Sequence, residues 1–189
     1  MPLNLPNLLT WLRILLIPLM AGVFYLPDGW VTSPEANLVA AVFFGVAALT
    51  DWLDGYLARA LGQTSAFGAF LDPVADKLMV AAALIVLIDL DRVAPLIGLI
   101  IIGREITISA LREWMAKAGK SASVAVSFAG KLKTTAQMIA IMLLLYFTPF
   151  AGLPIAAIGE VLIWIAALLT LASMVYYLMM AARALQNSP

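Results

Sequence analysis

The stretch Asp51–Asp76, DWLDGYLARALGQTSAFGAFLDPVAD, places four aspartates inside a chain that is otherwise strongly apolar. Hydrophobic residues make up 64% of the 189 residues and charged residues 12%, whereas a soluble protein averages about 45–50% apolar and about 25% charged. The composition indicates an integral membrane protein with a single domain over residues 1–189. Carboxylates near lipid are costly and are usually kept for pathways, ion pairs or metals.

The sequence contains no cysteine and no histidine. Disulfides, thiolate nucleophiles, zinc sites built on Cys or His, and imidazole bases are therefore excluded. Any metal must be bound by oxygen atoms, which favours Mg²⁺, Mn²⁺ or Ca²⁺. The formal net charge is zero, and we expect no nucleic-acid partner.

Six apolar segments approach the length of about 20 residues that a bilayer requires. We predict transmembrane helices at Leu8–Leu26, Glu35–Ala58, Phe70–Ile88, Val93–Met115, Val124–Phe147 and Pro154–Ala184. The connections between them are short and rich in Gly and Pro, as expected of a compact helical bundle. The first segment should be retained, because its early basic residue, Arg13, lies within the apolar pattern and not before it.

The basic residues predict the orientation, because Lys and Arg concentrate on the cytoplasmic side. With the N-terminus in the cytoplasm, the cytoplasmic helix ends carry Arg59, Lys117, Lys120 and Arg183. The opposite loops hold several acidic residues and one basic residue, Arg92. We therefore predict an all-α protein with six transmembrane helices and both termini cytoplasmic. Its polar cleft should face the cytoplasm from a cell inner (cytoplasmic) membrane.

The spacing of the aspartates puts each pair on one face of a helix. Asp51 and Asp54 are three residues apart, and Asp72 and Asp76 are four apart, which are neighbouring positions on a helix. Two adjacent helices can thus direct four carboxylates at one point. Two divalent cations about 3.5–4 Å apart would relieve the repulsion and could clamp a phosphate.

The residues between the aspartates suit a bulky phosphorylated ligand. Gly55 and Gly68 let a ligand approach the backbone, Ala58 keeps the same face shallow, and Arg59 can donate paired hydrogen bonds to phosphate. The alternative is that the aspartates form structural ion pairs with Arg59 and Lys77. That alternative leaves four carboxylates against only two nearby cations, and hence an excess of negative charge.

The pattern D-x2-D-G-x2-A-R-x8-G-x3-D-x3-D resembles the signature of the CDP-alcohol phosphotransferase family, and all eight fixed positions are present. The resemblance implies that Asp51, Asp54 and Asp72 ligate two divalent cations, Mg²⁺ or Mn²⁺. It implies that Asp76 contributes to the second cation and is the catalytic general base. The CDP-binding positions that it implies are Asp54, Gly55, Ala58, Arg59 and Gly68. A homodimer is expected from the resemblance alone.

Two further groups of polar residues lie in apolar surroundings. Asn7, Thr10 and Arg13 repeat every three residues, and this stripe should face either the donor or the bundle interior. A purely structural stripe is the alternative. Arg104 and Arg112 are eight residues apart, about two turns, so both can point the same way.

Lys131 and Lys133 are two residues apart and cannot share one narrow helical face. We expect one to face the pocket and the other to extend to the membrane interface. Buried Arg and Lys residues favour an anionic ligand, such as a phosphorylated acceptor. The alternatives are that Arg104 pairs with a nearby glutamate and that Arg112 is an interfacial anchor.

The segments 4–13, 103–115 and 123–137 are similar to the branch of the family whose acceptor is glycerol 3-phosphate. This similarity implies transfer of the phosphatidyl group of CDP-diacylglycerol to sn-glycerol 3-phosphate, with membrane lipid as the surroundings. The acceptor phosphate is then expected at Arg104, Arg112, Lys131 and Lys133. A same-family transferase for inositol phosphate or another alcohol is the nearest alternative. A carboxylate-based transporter is disfavoured, because the carboxylates cluster at one end and no repeat is visible.

Overall fold

The computed structural model describes residues 5–60, 66–117 and 128–186, which form six α-helices and contain no β-strand. The helices are α1 (Leu5–Gly22), α2 (Ser33–Ala60), α3 (Ala66–Asp89), α4 (Pro95–Lys117), α5 (Phe128–Tyr146) and α6 (Ile155–Gln186). Each predicted segment corresponds to one helix, so the prediction of an all-α chain is confirmed.

Three segments of the described chain are helical, long and apolar enough to cross a membrane: Asn7–Tyr25, Ser33–Asp54 and Ile155–Arg183. The apolar part of α5, Lys133–Tyr146, is shorter. Charged side chains interrupt the apolar runs of α3 and α4. The three apolar segments are typical of a membrane protein. Because the other helices are shorter or carry charges, the total of six spans stays a prediction.

Helix ends differ from the predicted ones for local reasons. Helix α1 ends at Gly22, and the chain tightens into a 3₁₀ turn at Val23–Tyr25, so the apolar run to Leu26 is not one α-helix. Before helix α2, the backbone N–H and hydroxyl of Thr32 both donate to Glu35 Oε2, at 2.8 and 2.7 Å, which is one half of a capping box. The Glu35 carboxylate thereby satisfies the backbone N–H of the residue that precedes the helix.

Helices α2 and α3 run further towards each other than the sequence suggested. The predicted helices end at Ala58 and resume at Phe70, but α2 continues to Ala60 and α3 already begins at Ala66. Positions 61–65 between them are outside the described residues. The two helix ends that carry the aspartates are consequently joined by a short segment.

The main apolar core takes side chains from all six helices. Small residues of α2, such as Ala40 and Ala47, are fully buried beside Phe44, because small side chains let helices approach closely. A second, smaller cluster joins α4 to α6 and contains Ile108, Met115, Tyr177 and Ala181. This second cluster fixes the position of Tyr177 beside the polar part of α4.

At the opposite end from the aspartates, Arg92 connects three parts of the bundle. Its Nη1 donates to the carbonyls of Leu144 and Leu145 at 3.0 and 3.1 Å, and its Nη2 donates to Asn37 Oδ1 at 2.7 Å. Cations favour the C-terminal end of a helix, where carbonyls lack intrahelical partners. Arg92 therefore caps α5 and holds it against α2.

Gly159 provides a test of how tightly α6 packs on α5. A Cβ atom at this position would lie 2.9 Å from Leu144 Cγ and 3.2 Å from Leu143 Cβ. We expect Gly159→Ala to lower the melting temperature, because overpacking costs about 1–3 kcal/mol and exceeds the gain of about 0.5–1 kcal/mol from replacing a helical glycine.

The matched control is Gly45→Ala in α2, where the new Cβ would meet only Met142 Sδ at 3.6 Å. This control should keep or raise the melting temperature of the purified protein in detergent. An equal response of the two variants would contradict the close packing of α5 and α6.

Candidate active site

Arg13 lies between two of the four aspartates, which we call the acidic cluster: Asp51, Asp54, Asp72 and Asp76. Its side chain is completely buried on α1, and its Nη1 is 2.7 Å from Asp51 Oδ1. Its Nη2 donates a short hydrogen bond to Asp54 Oδ2. The contact with Asp51 lacks hydrogen-bond geometry and is an ion pair only. Arg13 thus joins α1 to the acidic end of α2.

The rest of the α1 stripe also points into the bundle. Thr10 donates from its hydroxyl to Asp72 Oδ1 at 2.7 Å, which joins α1 to α3. Asn7 and Thr10 are both buried. The predicted stripe therefore faces the bundle interior, and Thr10 and Arg13 contact the acidic cluster directly.

The four carboxylates lie close enough to influence one another electrostatically. Asp54 is repelled by Asp51 and Asp72, and Asp76 is repelled by Asp51 and Glu105 while being attracted by Arg13 and Lys77. Among the described side chains in these interactions, negative charges thus outnumber the two positive ones. Asp51 is 44% exposed while Asp54 is 4% exposed, so the cluster reaches from the interior to the surface.

The donor atoms of the acidic cluster suit a hard divalent cation, because all of them are carboxylate oxygens. In the parts of the chain that the structure describes, no three acidic or other metal-binding side chains already surround a common point. The guanidinium of Arg13 lies between Asp51 and Asp54 as their positively charged partner. A cation held by these two aspartates would replace Arg13 as their partner.

The predicted CDP-binding positions are only partly described. Gly68 is buried in the first turn of α3. Gly55, Ala58 and Arg59 belong to α2, but their side-chain surroundings lie outside the described residues.

A second polar region, which we call the basic cavity, lies between α3, α4, α5 and α6. Its volume is about 170 Å³. Its polar lining residues are Asp76, Lys77, Arg104, Glu105, Arg112, Thr134, Gln137 and Tyr177. Asp76 belongs to both the acidic cluster and the wall of this cavity, so the two regions meet at that side chain.

Both arginines of α4 point to the same place. The guanidinium carbons of Arg104 and Arg112 lie 6.0 and 5.8 Å from the centre of the Tyr177 ring, within cation–π range. Their spacing of two helical turns therefore puts both on the side that faces α6. Arg104 is buried and Arg112 is exposed, so the pair extends from the cavity to its opening.

Glu105 connects the basic residues of two helices. Its Oε1 lies 2.8 Å from Arg104 Nη1 and 3.3 Å from Lys133 Nζ. The pairing of Arg104 with a nearby glutamate, which the sequence left open, is thus present. The carboxylates of Glu105 and Asp76 face four cations, Arg104, Arg112, Lys77 and Lys133, which still leaves positive charge for an anion. Lys133 is buried, whereas the side chain of Lys131 is outside the described residues.

Sequence reasoning missed three polar residues of the cavity wall. Thr134 and Gln137 follow Lys133 on α5, and Gln137 shares its helical face by the i, i+4 spacing, which was an available signal. No sequence signal distinguished Tyr177, because it lies in an apolar helix next to a second tyrosine, Tyr176. Glu105 was considered only as an alternative partner of Arg104.

A model of the CDP-alcohol phosphatidyltransferases matches residues 3–172 of the chain. The chain belongs to this family. The resemblance predicted from the aspartate pattern is thereby confirmed, and the protein is an enzyme of the CDP-alcohol phosphatidyltransferase class.

Several relatives share half of their residues with this CDP-alcohol phosphatidyltransferase. A protein of Escherichia coli (strain K12) called CDP-diacylglycerol–glycerol-3-phosphate 3-phosphatidyltransferase is 52% identical over 186 residues, covering 97% of each chain. Proteins with that name from Shigella flexneri serotype 5b (strain 8401) and Salmonella choleraesuis (strain SC-B67) are 51% and 50% identical. The first alignment covers 97% of both chains and the second 94%.

The pairing of Arg13 predicts a stability that depends on metal. Arg13→Met should lower the melting temperature of the metal-free protein, because removing one partner of a buried ion pair costs about 3–5 kcal/mol. Added Mg²⁺ or Mn²⁺ should restore part of the loss, because a divalent cation can neutralise Asp51 and Asp54. Thermal unfolding in detergent, with chelator and with metal, measures both effects.

Lys117→Met is the matched control, because Lys117 forms an exposed ion pair with Glu113 at 2.8 Å. Exposed pairs contribute about 0–1 kcal/mol, so this variant should unfold almost as the parent does, with or without metal. If Arg13→Met does not lower the melting temperature, or if added metal does not restore it, the exchange of Arg13 for a cation is refuted.

Proposed function

We propose that this enzyme transfers the phosphatidyl group of CDP-diacylglycerol to sn-glycerol 3-phosphate, which yields phosphatidylglycerol phosphate and CMP. The observation that carries the proposal is that Asp76 belongs both to the acidic cluster and to the basic cavity. A pyrophosphate donor and a phosphorylated acceptor can therefore meet at one carboxylate. The names of the relatives support the same pair of substrates.

The donor is assigned to the acidic cluster. Asp51, Asp54 and Asp72, with a contribution from Asp76, hold two divalent cations, Mg²⁺ or Mn²⁺. When bound, these cations supply positive charge that offsets the charge developing on the departing CMP. The α1 stripe and the glycine-containing stretch complete the donor site, and the residues involved are Asn7, Thr10, Arg13, Gly55, Ala58, Arg59 and Gly68.

The acceptor is assigned to the basic cavity. Arg104 and Arg112, with Lys133 and Lys131, hold its phosphate by charge-assisted hydrogen bonds. Asp76 takes the proton from the 1-hydroxyl group of the acceptor. The resulting oxygen bonds to the phosphorus that carries the diacylglycerol, and the bond from that phosphorus to CMP breaks. Most of the rate enhancement comes from positioning and electrostatics, as is usual for phosphoryl transfer.

The membrane arrangement is part of the proposal. Six antiparallel transmembrane helices bring the start of α1, α3 and α5 and the end of α2, α4 and α6 to one face. This face carries the acidic cluster together with Lys117 and Arg183, so we assign it to the cytoplasm. The acyl chains of the donor stay in the bilayer, a bacterial inner membrane, and a homodimer is the expected assembly.

Product analysis by mass spectrometry tests the reaction directly. Purified protein receives CDP-diacylglycerol, Mg²⁺ or Mn²⁺, and one acceptor at a time: glycerol 3-phosphate, serine, inositol phosphate or phosphatidylglycerol. We expect metal-dependent release of CMP, with phosphatidylglycerol phosphate formed only from glycerol 3-phosphate. A product from a different alcohol would preserve the assignment of the acidic cluster and refute that of the basic cavity.

Asp76→Asn tests the assignment of the base. The change removes the proton acceptor while keeping the shape of the side chain, so turnover should fall by about 10²–10⁴-fold with the fold retained. Asp28→Asn, at an exposed position at the opposite end, is the control and should keep full activity. CMP release by Asp76→Asn within a few-fold of the parent rate would show that another group accepts the proton.

A further inference from the structure

Two buried polar atoms of the basic cavity have no hydrogen-bond partner among the described residues. They are Oε1 of Gln137 and Nε of Arg104, and their side chains belong to residues that are only 3% and 9% exposed. Nearly all buried polar groups in native proteins are satisfied, so each exception calls for an explanation. An acceptor and a donor left unpaired in one cavity wall suit a ligand that carries both an anionic oxygen and a hydroxyl group.

Gln137 lies next to the groups that recognise an anion. It follows Lys133 by one turn of α5 and shares its face, and Lys133 contacts Glu105, which also contacts Arg104. Asp76 reaches the same cavity from α3. The cavity therefore combines cationic donors from α4, a carboxylate from α3 and an unpaired amide from α5.

We propose that Gln137 is a specificity-determining residue, whose side-chain amide binds the 2-hydroxyl group of the acceptor. The inference rests on the function proposed above and extends it. When the phosphate lies at the arginines and the 1-hydroxyl lies at Asp76, the 2-hydroxyl is the one polar group of glycerol 3-phosphate still without a partner. Gln137 supplies the missing partner.

This recognition does not depend on which way the amide is turned. A hydroxyl group both donates and accepts a hydrogen bond, so it can pair with Oε1 or, after rotation of the amide, with Nε2. A site built to bond a hydroxyl rejects an analogue that lacks it, because its own buried polar group is then unpaired. Losing one such bond is expected to reduce kcat/KM by about 5–150-fold.

The test compares two acceptors that differ only in this hydroxyl: sn-glycerol 3-phosphate and 3-hydroxypropyl phosphate. The parent enzyme should prefer glycerol 3-phosphate by about 5–150-fold in kcat/KM. Gln137→Met keeps a side chain of similar length without the amide. It should lose kcat/KM for glycerol 3-phosphate, retain it for 3-hydroxypropyl phosphate, and so abolish the preference.

Ile139→Met is the matched control, because Ile139 is an exposed apolar residue on another face of α5. It should leave both the activity and the ratio of the two acceptors unchanged. Thermal unfolding of each variant checks that the fold is kept. The ratio measured with the parent enzyme tests the proposal even if Gln137→Met does not fold, since a ratio near one overturns it.

The remaining outcomes separate the inference from the proposed function. An equal loss for both acceptors in Gln137→Met, or no loss for either, overturns the role of Gln137 while the parent enzyme remains active. No product from the parent enzyme with glycerol 3-phosphate overturns the proposed function, and the inference with it.

Discussion

The burial of Arg13 among carboxylates is the constraint around which the active-site end of the bundle is organised. A charged side chain with no exposed surface must be paired, because an uncompensated charge in an apolar interior is strongly unfavourable. Arg13 meets this requirement through Asp51 and Asp54 on α2, and Thr10 adds a contact with Asp72 on α3. The polar contacts that position three helices are therefore made with three of the aspartates to which the proposed donor site is assigned.

Each of the two polar regions contains resident charges of the opposite sign. Arg13 partly neutralises the acidic cluster, and Glu105 partly neutralises Arg104 and Lys133. In both regions the remaining charge has the sign opposite to that of the proposed ligand, a cation in one and a phosphate in the other. Such internal ion pairs compensate the buried charges before ligands bind. A bound cation or phosphate must then displace these internal partners.

Local sequence features predicted the helices and the charged residues that share one face of a helix. They did not predict which side chains of different helices pair with each other. The aspartate spacing and the two-turn separation of Arg104 and Arg112 act within single helices, where a period of 3.6 residues determines the facing direction. The pairing of Arg13 with Asp54 joins positions 41 residues apart, and no local pattern encodes it. The place of Tyr177 likewise depends on how α6 packs against α4.

The apolar outer surfaces of α3 and α4 support the proposal that these two helices also span the membrane, although charges interrupt their hydropathy along the chain. In α4, Arg104 is 9% exposed while Ile106, two residues later, is 63% exposed. In α3, Leu78 is exposed although it follows Asp76 and Lys77 of the cavity wall. An average over a window mixes these two faces, whereas a bilayer contacts only the outer one. Charged residues that face the bundle interior are compatible with a spanning helix, so the charges that interrupt these two helices do not argue against the proposed six spans.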